Sequence, residues 1–282
     1  MWPLCVLVSK LLKLEEGEEH GLNENGSHSI PSCSLKICSI SGLKSDAILP
    51  DSLSVEVPHI NQLYNWDCGL ACVLMVFRTT GVSNCDLLSL VKLCSSTSIW
   101  TVDLAYILQK FSVSFTYFTV TLGANPNFIA ESFYKDHLPD DLVRVDLLFK
   151  KAGGNGISIK CRSISQEEIS FLILSGKYIA IALVDQYILS RSWLKDVYVP
   201  GFCTSSLDYT GHYIVICGYD TTNDEFEIRD PANSSKQLKR VSSRCLDEAR
   251  KSFGTDEDLL LISLENTLSG EKFSSANSDD CQ

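Results

Sequence analysis

Four residues of this chain have the types and spacing that nucleophilic catalysis requires. Cys68 opens an apolar stretch with helical periodicity, and Gln62 precedes it across a short polar turn. A thiolate at the positive end of a helix is stabilised by about 1–2 kcal/mol, because unpaired N–H groups face it there. The side-chain amide of Gln62 and the backbone N–H of Cys68 are expected to form an oxyanion hole, in which each donor is worth roughly 3–4 kcal/mol.

A base and its orienting carboxylate follow much later in the chain. His212 starts a predicted strand, and Asp230 ends the next one. A polar turn over residues 220–224 would pair these strands antiparallel and bring Asp230 beside His212. The carboxylate is then expected to accept the imidazole Nδ1–H and fix the tautomer. Together the residues predict a Cys-His-Asp hydrolase or transferase acting on an acyl or peptide bond.

The elements that must position these residues are mainly helices first and strands later. Helical spacing predicts helices over CGLACVLMVFRTTG, NCDLLSLVKLC and SIWTVDLAYILQKF, two broken at Pro139 within 129–152, one capped by Ser165 and Glu168, and one over 242–254. Runs of β-branched and aromatic residues predict strands at 55–60, 113–123, 157–163, 177–185, 212–220, 225–231 and 258–264. This order indicates an α+β protein with an N-terminal helical half and a C-terminal antiparallel sheet half.

Composition divides the chain into a domain with two polar flanks. Residues 51–265 form the predicted domain, and residues 266–282 a polar, disordered tail. Residues 1–50 are an N-terminal segment: its first 13 or so residues suit a short amphipathic helix, either docked or frayed or acting as a membrane or partner anchor. The rest of that segment is rich in Glu, Ser, Asn and Gly and is typical of a linker.

Charge and cysteine usage limit the partners and the compartment. The formal net charge is −11, so neither nucleic acid nor anionic lipid is the expected main partner. No apolar run reaches the roughly 18–20 residues that a membrane span needs. The 12 cysteines include no Cys-x-x-Cys pair, which argues against a zinc knuckle. Free thiols predict a reducing compartment, the cytosol or the nucleus. Protein partners stay open.

Two resemblances extend this interpretation. The stretches QLYNWDCGLACVLMV, GHYIVICGYD and IRDP resemble bacteriocin-processing cysteine peptidases, a branch of the papain-like superfamily, and imply its fold. The segments MWPLC, WDCGLACVLM, GANPN, LPDDLVRVDLLF, TGHYIVICGYD, FEIRDPA and RKSFGTDEDLLLI resemble the plant guanylyl cyclase 1 family along nearly the whole chain. That second resemblance implies magnesium-dependent conversion of GTP to cyclic GMP.

The family resemblance points to candidate nucleotide and metal residues. It places a cyclase-like signature around residues 175–193, where Lys177, Asp185 and Arg191 supply the charges that a nucleotide site needs. Asp185, Glu227 and Asp230 would bind Mg²⁺ if they converge. The sequence contains neither of the glycine-rich phosphate-binding patterns, G-x-x-x-x-G-K-[ST] or G-x-G-x-x-G. A guanylyl cyclase, a cysteine hydrolase and a non-catalytic binding module on the same fold therefore stay open as alternatives.

Overall fold

The fold is described by a computed structural model for residues 49–94, 96–191 and 209–265. They belong to a compact unit that begins at Ile48. Apart from residues 49 and 50, the predicted N-terminal segment lies outside the described residues, as does the predicted tail. The domain boundaries at 51 and 265 therefore stay predictions.

Helices and strands alternate unevenly along the described chain. The helices are α1 (Cys68–Thr79), α2 (Leu87–Leu93), α3 (Thr101–Lys110), α4 (Ser132–Lys135), α5 (Leu138–Ala152), α6 (Gln166–Leu174), α7 (Gln186–Arg191) and α8 (Ser243–Arg250), with a 3₁₀ turn at Pro126–Ala130. The strands are β1 (Ser52–Ser54), β2 (Phe115–Thr119), β3 (Ile159–Cys161), β4 (Tyr178–Asp185), β5 (Gly211–Asp220), β6 (Glu225–Arg229), β7 (Lys239–Ser242) and β8 (Leu259–Ser263). The predicted α+β class is confirmed.

The strands form one sheet in the order β3-β2-β8-β4-β5-β6-β7, and β1 adds to β5. Every pair is antiparallel except β2 with β3. Strand β8 comes late in the chain but pairs with both β2 and β4, so it joins the strands of the two halves of the domain. The sheet carries β5 and β6, the two strands that lead to the candidate base and its carboxylate.

Apolar side chains cover both faces of the sheet. In β4, Ile179 and Ile181 face the core that includes α1, α3 and α5, whereas Ala180 and Ala182 face the core that includes α6 and α8. This period of two is the alternation expected of a strand buried on both sides. Helix α1 lies inside the first core and is buried along almost its whole length. Within the described residues, no helix is both long and apolar enough to cross a membrane.

Several predicted elements differ from those in the structure. The strand predicted at 55–60 lies earlier, at Ser52–Ser54, where it pairs with the far end of β5. Pro139 does not break a helix but occupies the first turn of α5, where its missing N–H costs no hydrogen bond. The polar strand β7 and the short helix α7 were not predicted.

Candidate active site

Cys68 is the first residue of α1, and the loop before it is fixed by Asp67. The Asp67 carboxylate is fully buried and accepts hydrogen bonds from the backbone N–H groups of Leu63 (3.2 Å) and Tyr64 (3.0 Å). The Asp67 carbonyl accepts the N–H of Ala71, the first bond of the helix (3.0 Å). One residue therefore closes the loop and begins the helix, which places the thiol of Cys68 at the helix N-terminus. That thiol is itself buried, with 6% exposure.

Gly69 lets α1 approach its neighbours closely. A β-carbon at this position would lie 2.9 Å from Cδ1 of Leu104 and 3.0 Å from Cδ2 of Tyr213, distances that real β-carbons essentially never show or rarely tolerate. Leu104 belongs to α3, and Tyr213 follows His212 on β5. The glycine thus allows the start of α1 to rest against the strand that carries the candidate base.

His212 and Asp230 lie together, as the hairpin predicted. The ring nitrogen Nε2 of His212 and Oδ1 of Asp230 are 2.8 Å apart, and the two side chains are only 4% and 7% exposed. This corrects the predicted contact, which assigned Nδ1 to the carboxylate. Cys68 lies near enough to the same imidazole to contribute to its raised pKa. Because Asp230 occupies Nε2, Nδ1 is the ring nitrogen left for the thiol.

The charges of this pair reinforce each other. Burial by itself favours a neutral His212, but the hydrogen bond to Asp230 and the nearby Cys68 outweigh it and raise the pKa of His212 to about 9. Burial likewise favours a neutral Asp230, yet the bonds from His212 and Lys239 hold the pKa of that carboxyl well below its usual range. At neutral pH the site therefore contains an imidazolium beside a carboxylate.

The side-chain amide of Gln62 was predicted to face the oxyanion hole, but in the structure it bonds within its own loop. Its Nε2 donates to the carbonyl of Tyr64 (2.7 Å), and its backbone N–H donates to the carbonyl of Pro231 (3.1 Å), directly after Asp230. The amide oxygen Oε1 is buried without a hydrogen-bond partner. An amide nitrogen has two hydrogens, so one of them stays available for an oxyanion, and the oxyanion role of Gln62 stays a prediction.

The structure does not bring the three candidate nucleotide residues together. Lys177 precedes β4 and pairs with Glu265 (2.9 Å), whereas Asp185 ends the same strand. Eight residues at about 3.3 Å each separate these two charges by more than roughly 20 Å. Arg191 ends α7, on the Asp185 side, with its guanidinium carbon 6.0 Å from the ring centre of Tyr187.

The three candidate magnesium carboxylates do not converge either, which corrects that prediction. Asp185 accepts from the N–H of Tyr187 (2.9 Å) and from the hydroxyl of Ser252 (3.0 Å). Glu227 pairs with Arg240 (2.9 Å), and both oxygens of Asp230 already hold donors. The strand partners of Asp185 and Glu227 on β5 are Gly211 and Gly218, which lie far apart on that strand. Among the described side chains, no group of three or more His, Cys, Asp or Glu is arranged to hold a metal ion.

Two residues of the site were not recognised from the sequence. Asp67 fixes the loop before Cys68, and Lys239 donates to Oδ2 of Asp230 (2.9 Å) from β7. An aspartate directly before a helix is a usual cap signal, so Asp67 carried a signal that points to the helix start. Lys239 carried none, because its contact depends on the pairing of β6 with β7.

Fold and site together define an α+β protein in which a cysteine opens a buried helix, a histidine lies on β5 and its carboxylate partner comes directly after β6. Residues 57–262 match the family model described as "Guanylylate cyclase". The chain is also 61% identical to "Guanylyl cyclase 1" of Arabidopsis thaliana over 268 residues, which cover 94% of this chain and 97% of that protein. The chain therefore belongs to the guanylylate cyclase family.

Two solved structures are similar at low identity. A putative C39-like peptidase from Bacillus anthracis has a TM-score of 0.43 and 13% identity, over 74% of this chain and 94% of that one. Xylellain, a cysteine protease from Xylella fastidiosa, has a TM-score of 0.41 and 14% identity, over 77% of this chain and 87% of that one. At these TM-scores, neither structure bears on the chemistry of the site.

Proposed function

We propose that this chain catalyses the reaction for which its family is named, the conversion of GTP to cyclic GMP and pyrophosphate. The observation that carries the proposal is the family match over residues 57–262, supported by the 61% identity to the Arabidopsis protein. In this reaction the ribose 3′ oxygen forms a bond to the α-phosphorus and loses its proton to a base. The bond from that phosphorus to the pyrophosphate oxygen breaks.

The proposed compartment is the cytosol or the nucleus.

A magnesium requirement belongs to the same proposal, because the family resemblance implies it. Asp185, Glu227 and Asp230 do not fit a shared magnesium site, so none of them is assigned to the metal. Proteins commonly bind Mg²⁺ through one or two carboxylates together with substrate phosphates. The magnesium requirement is therefore tested by removing the metal from the assay, and it does not depend on a preformed site built from side chains alone.

The test is turnover of GTP by the purified protein. Cyclic GMP and pyrophosphate are measured by mass spectrometry with Mg²⁺ and again with excess EDTA, for wild type, Cys68→Ala and the exposed-thiol control Cys161→Ala. Many turnovers per molecule, lost in EDTA and equal in the two alanine variants, would support a cyclase whose site does not use the Cys68 thiol. A selective loss in Cys68→Ala would place that thiol in the reaction. No product from wild type would sink the proposal.

A second candidate function is cysteine-dependent acyl hydrolysis or transfer, which the buried Cys68, His212 and Asp230 favour. The Cys68 thiol would lose its proton to the imidazole of His212, and its sulfur would form a bond to the acyl carbon. As the bond from that carbon to the amine or alcohol breaks, His212 would give the proton to the departing group. Water would then release the acyl group from sulfur. The measurement is hydrolysis of p-nitrophenyl acetate by wild type, Cys68→Ala and Cys161→Ala. If Cys68 stays unreactive toward both this ester and iodoacetamide in the native protein, the third alternative, a non-catalytic module, is favoured.

A further inference from the structure

The loop between β6 and β7 places cationic side chains beside the segment that leads to the active site. Arg229 ends β6 and Lys236 lies in the loop. His59 lies two residues before Asn61, whose side chain bonds to the same loop, and the charges of Arg229 and Lys236 reach its imidazole. Lys239 and Arg240 on β7 pair with Asp230 and Glu227. In the described part of the chain, Arg229 and Lys236 form no such ion pair. The loop therefore has an excess of positive charge in a chain whose net charge is −11.

Three buried nitrogen atoms in this group have no hydrogen-bond partner of good geometry, although the backbone of Asn233 lies near His59. They are Nδ1 and Nε2 of His59 and Nε of Arg229. The Arg229 guanidinium is held in place by its Nη1, which donates to the carbonyl of Lys236 (3.0 Å). Unpaired buried donors are costly, and native proteins usually satisfy them. The simplest group that satisfies several donors at once in a positive environment is an anion with several oxygens.

The charges that face His59 come from Arg229, Lys236 and Asp230. Burial and the two cations lower the pKa of His59, while the nearby backbone of Asn233 and the charge of Asp230 act in the opposite direction. Asp230 is itself bonded to His212 and Lys239, so much of its charge is compensated. The net field at the imidazole is therefore positive, which favours an anion and disfavours a metal ion.

This cationic group is tied to the active site by backbone and side-chain contacts. Asn61 donates through Nδ2 to the carbonyl of Asn233 (3.0 Å), and the backbone N–H of Gln62 donates to the carbonyl of Pro231 (3.1 Å). The segment that carries His59 is thus fastened to the loop that follows Asp230. An anion bound by the group would lie next to the site rather than on a remote surface.

We propose that His59, Arg229 and Lys236 bind a phosphate group. Resting on the proposed function, that phosphate belongs to the polyphosphate of GTP. A guanidinium presents a planar fork of N–H donors that matches phosphate oxygens, a lysine supplies a mobile charge, and a histidine supplies a further donor. This assignment replaces the nucleotide residues expected from the sequence, of which Lys177 and Asp185 lie at the two ends of β4 and Arg191 ends α7.

The test uses binding rather than turnover. Isothermal titration calorimetry with pyrophosphate compares wild type with Lys236→Gln, Arg229→Gln and Arg244→Gln. Arg244 is 88% exposed on α8, so its variant is a control for the same loss of charge. We expect binding about fivefold weaker in Lys236→Gln, as for an exposed cation, and weaker by roughly tenfold or more in Arg229→Gln, as for a charge-assisted hydrogen bond. The control should bind as wild type does.

Lys236→Gln keeps the result interpretable, because its side chain is exposed and its loss should not affect folding. No pyrophosphate binding by wild type, or equal binding by wild type and both loop variants, would overturn the proposal. Orthophosphate and GTP run as parallel arms. If GTP binds more tightly than orthophosphate, the site binds the phosphate of a nucleotide. If the two bind equally, the site binds free phosphate. Either result supports a phosphate site.

A spectroscopic measurement separates ligand contact from a structural role. Bound phosphate should raise the pKa of His59, because an anion stabilises the imidazolium, and ring NMR of wild type and His59→Gln identifies the signal. An unchanged His59 titration at saturating pyrophosphate would remove His59 from the site. If wild type makes no cyclic GMP but its pyrophosphate binding weakens in Lys236→Gln, the cyclase proposal fails while the phosphate site stands. If wild type makes cyclic GMP but pyrophosphate binding is unchanged in Lys236→Gln and Arg229→Gln, the phosphate site fails while the cyclase proposal stands.

Discussion

At the scale of single residues, the chemistry depends on how Asp230 distributes its two oxygens. Oδ1 meets Nε2 of His212 and the N–H of Ala232 (3.0 Å), and Oδ2 meets Lys239. Three donors keep the carboxyl ionised although it is buried, and the carboxylate keeps His212 protonated beside the Cys68 thiol. The cation Lys239 therefore supports the site through Asp230.

Replacing Asp230 by Asn should therefore change the protonation of His212. Without the carboxylate, burial and the nearby Lys239 both favour the neutral ring, so its pKa should fall from about 9 by about two units or more. NMR titration of the imidazole signals measures this, with Arg244→Gln as a control for an unrelated charge. A His212 midpoint that stays near 9 in Asp230→Asn would contradict the electrostatic account.

At the scale of elements, the site depends on the close contact of α1 with β5. The helix reaches the strand because Gly69 has no side chain, and Tyr213 is held by a hydrogen bond between its hydroxyl and that of Thr101 (2.9 Å). The thiol and the imidazole meet only if this spacing is kept. A change in the spacing should therefore affect reactivity as well as stability.

Gly69→Ala tests that dependence. Crowding in a packed core costs about 1–3 kcal/mol, and the better helix propensity of alanine returns about 1 kcal/mol. We expect a net loss of up to about 2 kcal/mol in the free energy of unfolding and a clear change in the alkylation rate of Cys68. Gly153→Ala is the control, because nothing lies within 4 Å of the added carbon and its φ is helical, at −59°. Urea unfolding and iodoacetamide kinetics measure both. Identical behaviour of the two variants would show that the contact is not tight.

The sequence predicted most of the elements and the pairing of the candidate catalytic side chains His212 and Asp230. Helix α1 and the β5–β6 hairpin have strong periodic patterns. Local sequence patterns were therefore enough to predict where Cys68, His212 and Asp230 lie. The short strands β1 and β7 were misplaced or missed because such strands are defined by their partners rather than by their own residues. The choice of Nε2 over Nδ1 and the role of Lys239 likewise depend on tertiary contacts that no local pattern contains.

At the scale of the whole molecule, β8 joins the early strands to the late ones, and a buried carboxyl lies at its start. Asp258 accepts a hydrogen bond from the hydroxyl of Tyr117 on β2 (2.9 Å), and its other oxygen has no partner. Burial and the nearby Asp256 raise the pKa of Asp258 to about 8, although the nearby hydroxyl groups of Thr101, Thr119 and Tyr117 act in the opposite direction. The folded protein therefore keeps a proton on Asp258 that the unfolded chain releases near pH 4.

This proton makes the stability depend on pH in a defined direction. Between pH 4 and 8 the folded state binds the proton of Asp258 and the unfolded state does not, so the free energy of unfolding falls as the pH rises. His212, with its pKa raised to about 9, adds a loss of the same sign above roughly pH 6.5. Asp230 acts at the other end, because its lowered pKa gives stability that is lost only as the pH falls below about 4.

Asp258→Asn should remove the loss of stability that Asp258 causes between pH 4 and 8 and leave the loss that His212 causes above roughly pH 6.5. Asparagine has the shape of the protonated acid and stays neutral, so the variant should be more stable than wild type by roughly 2–5 kcal/mol at pH 8 and about equal to it near pH 4. Urea unfolding at several pH values measures the difference, with the exposed Asp136→Asn as control. If the difference in the free energy of unfolding between Asp258→Asn and wild type does not vary with pH, Asp258 is ionised in the folded protein. A buried charge would then lie at the start of β8, where it pairs with β2 and β4. A pH-dependent difference would mean that the protein tolerates a carboxyl there only in its neutral form.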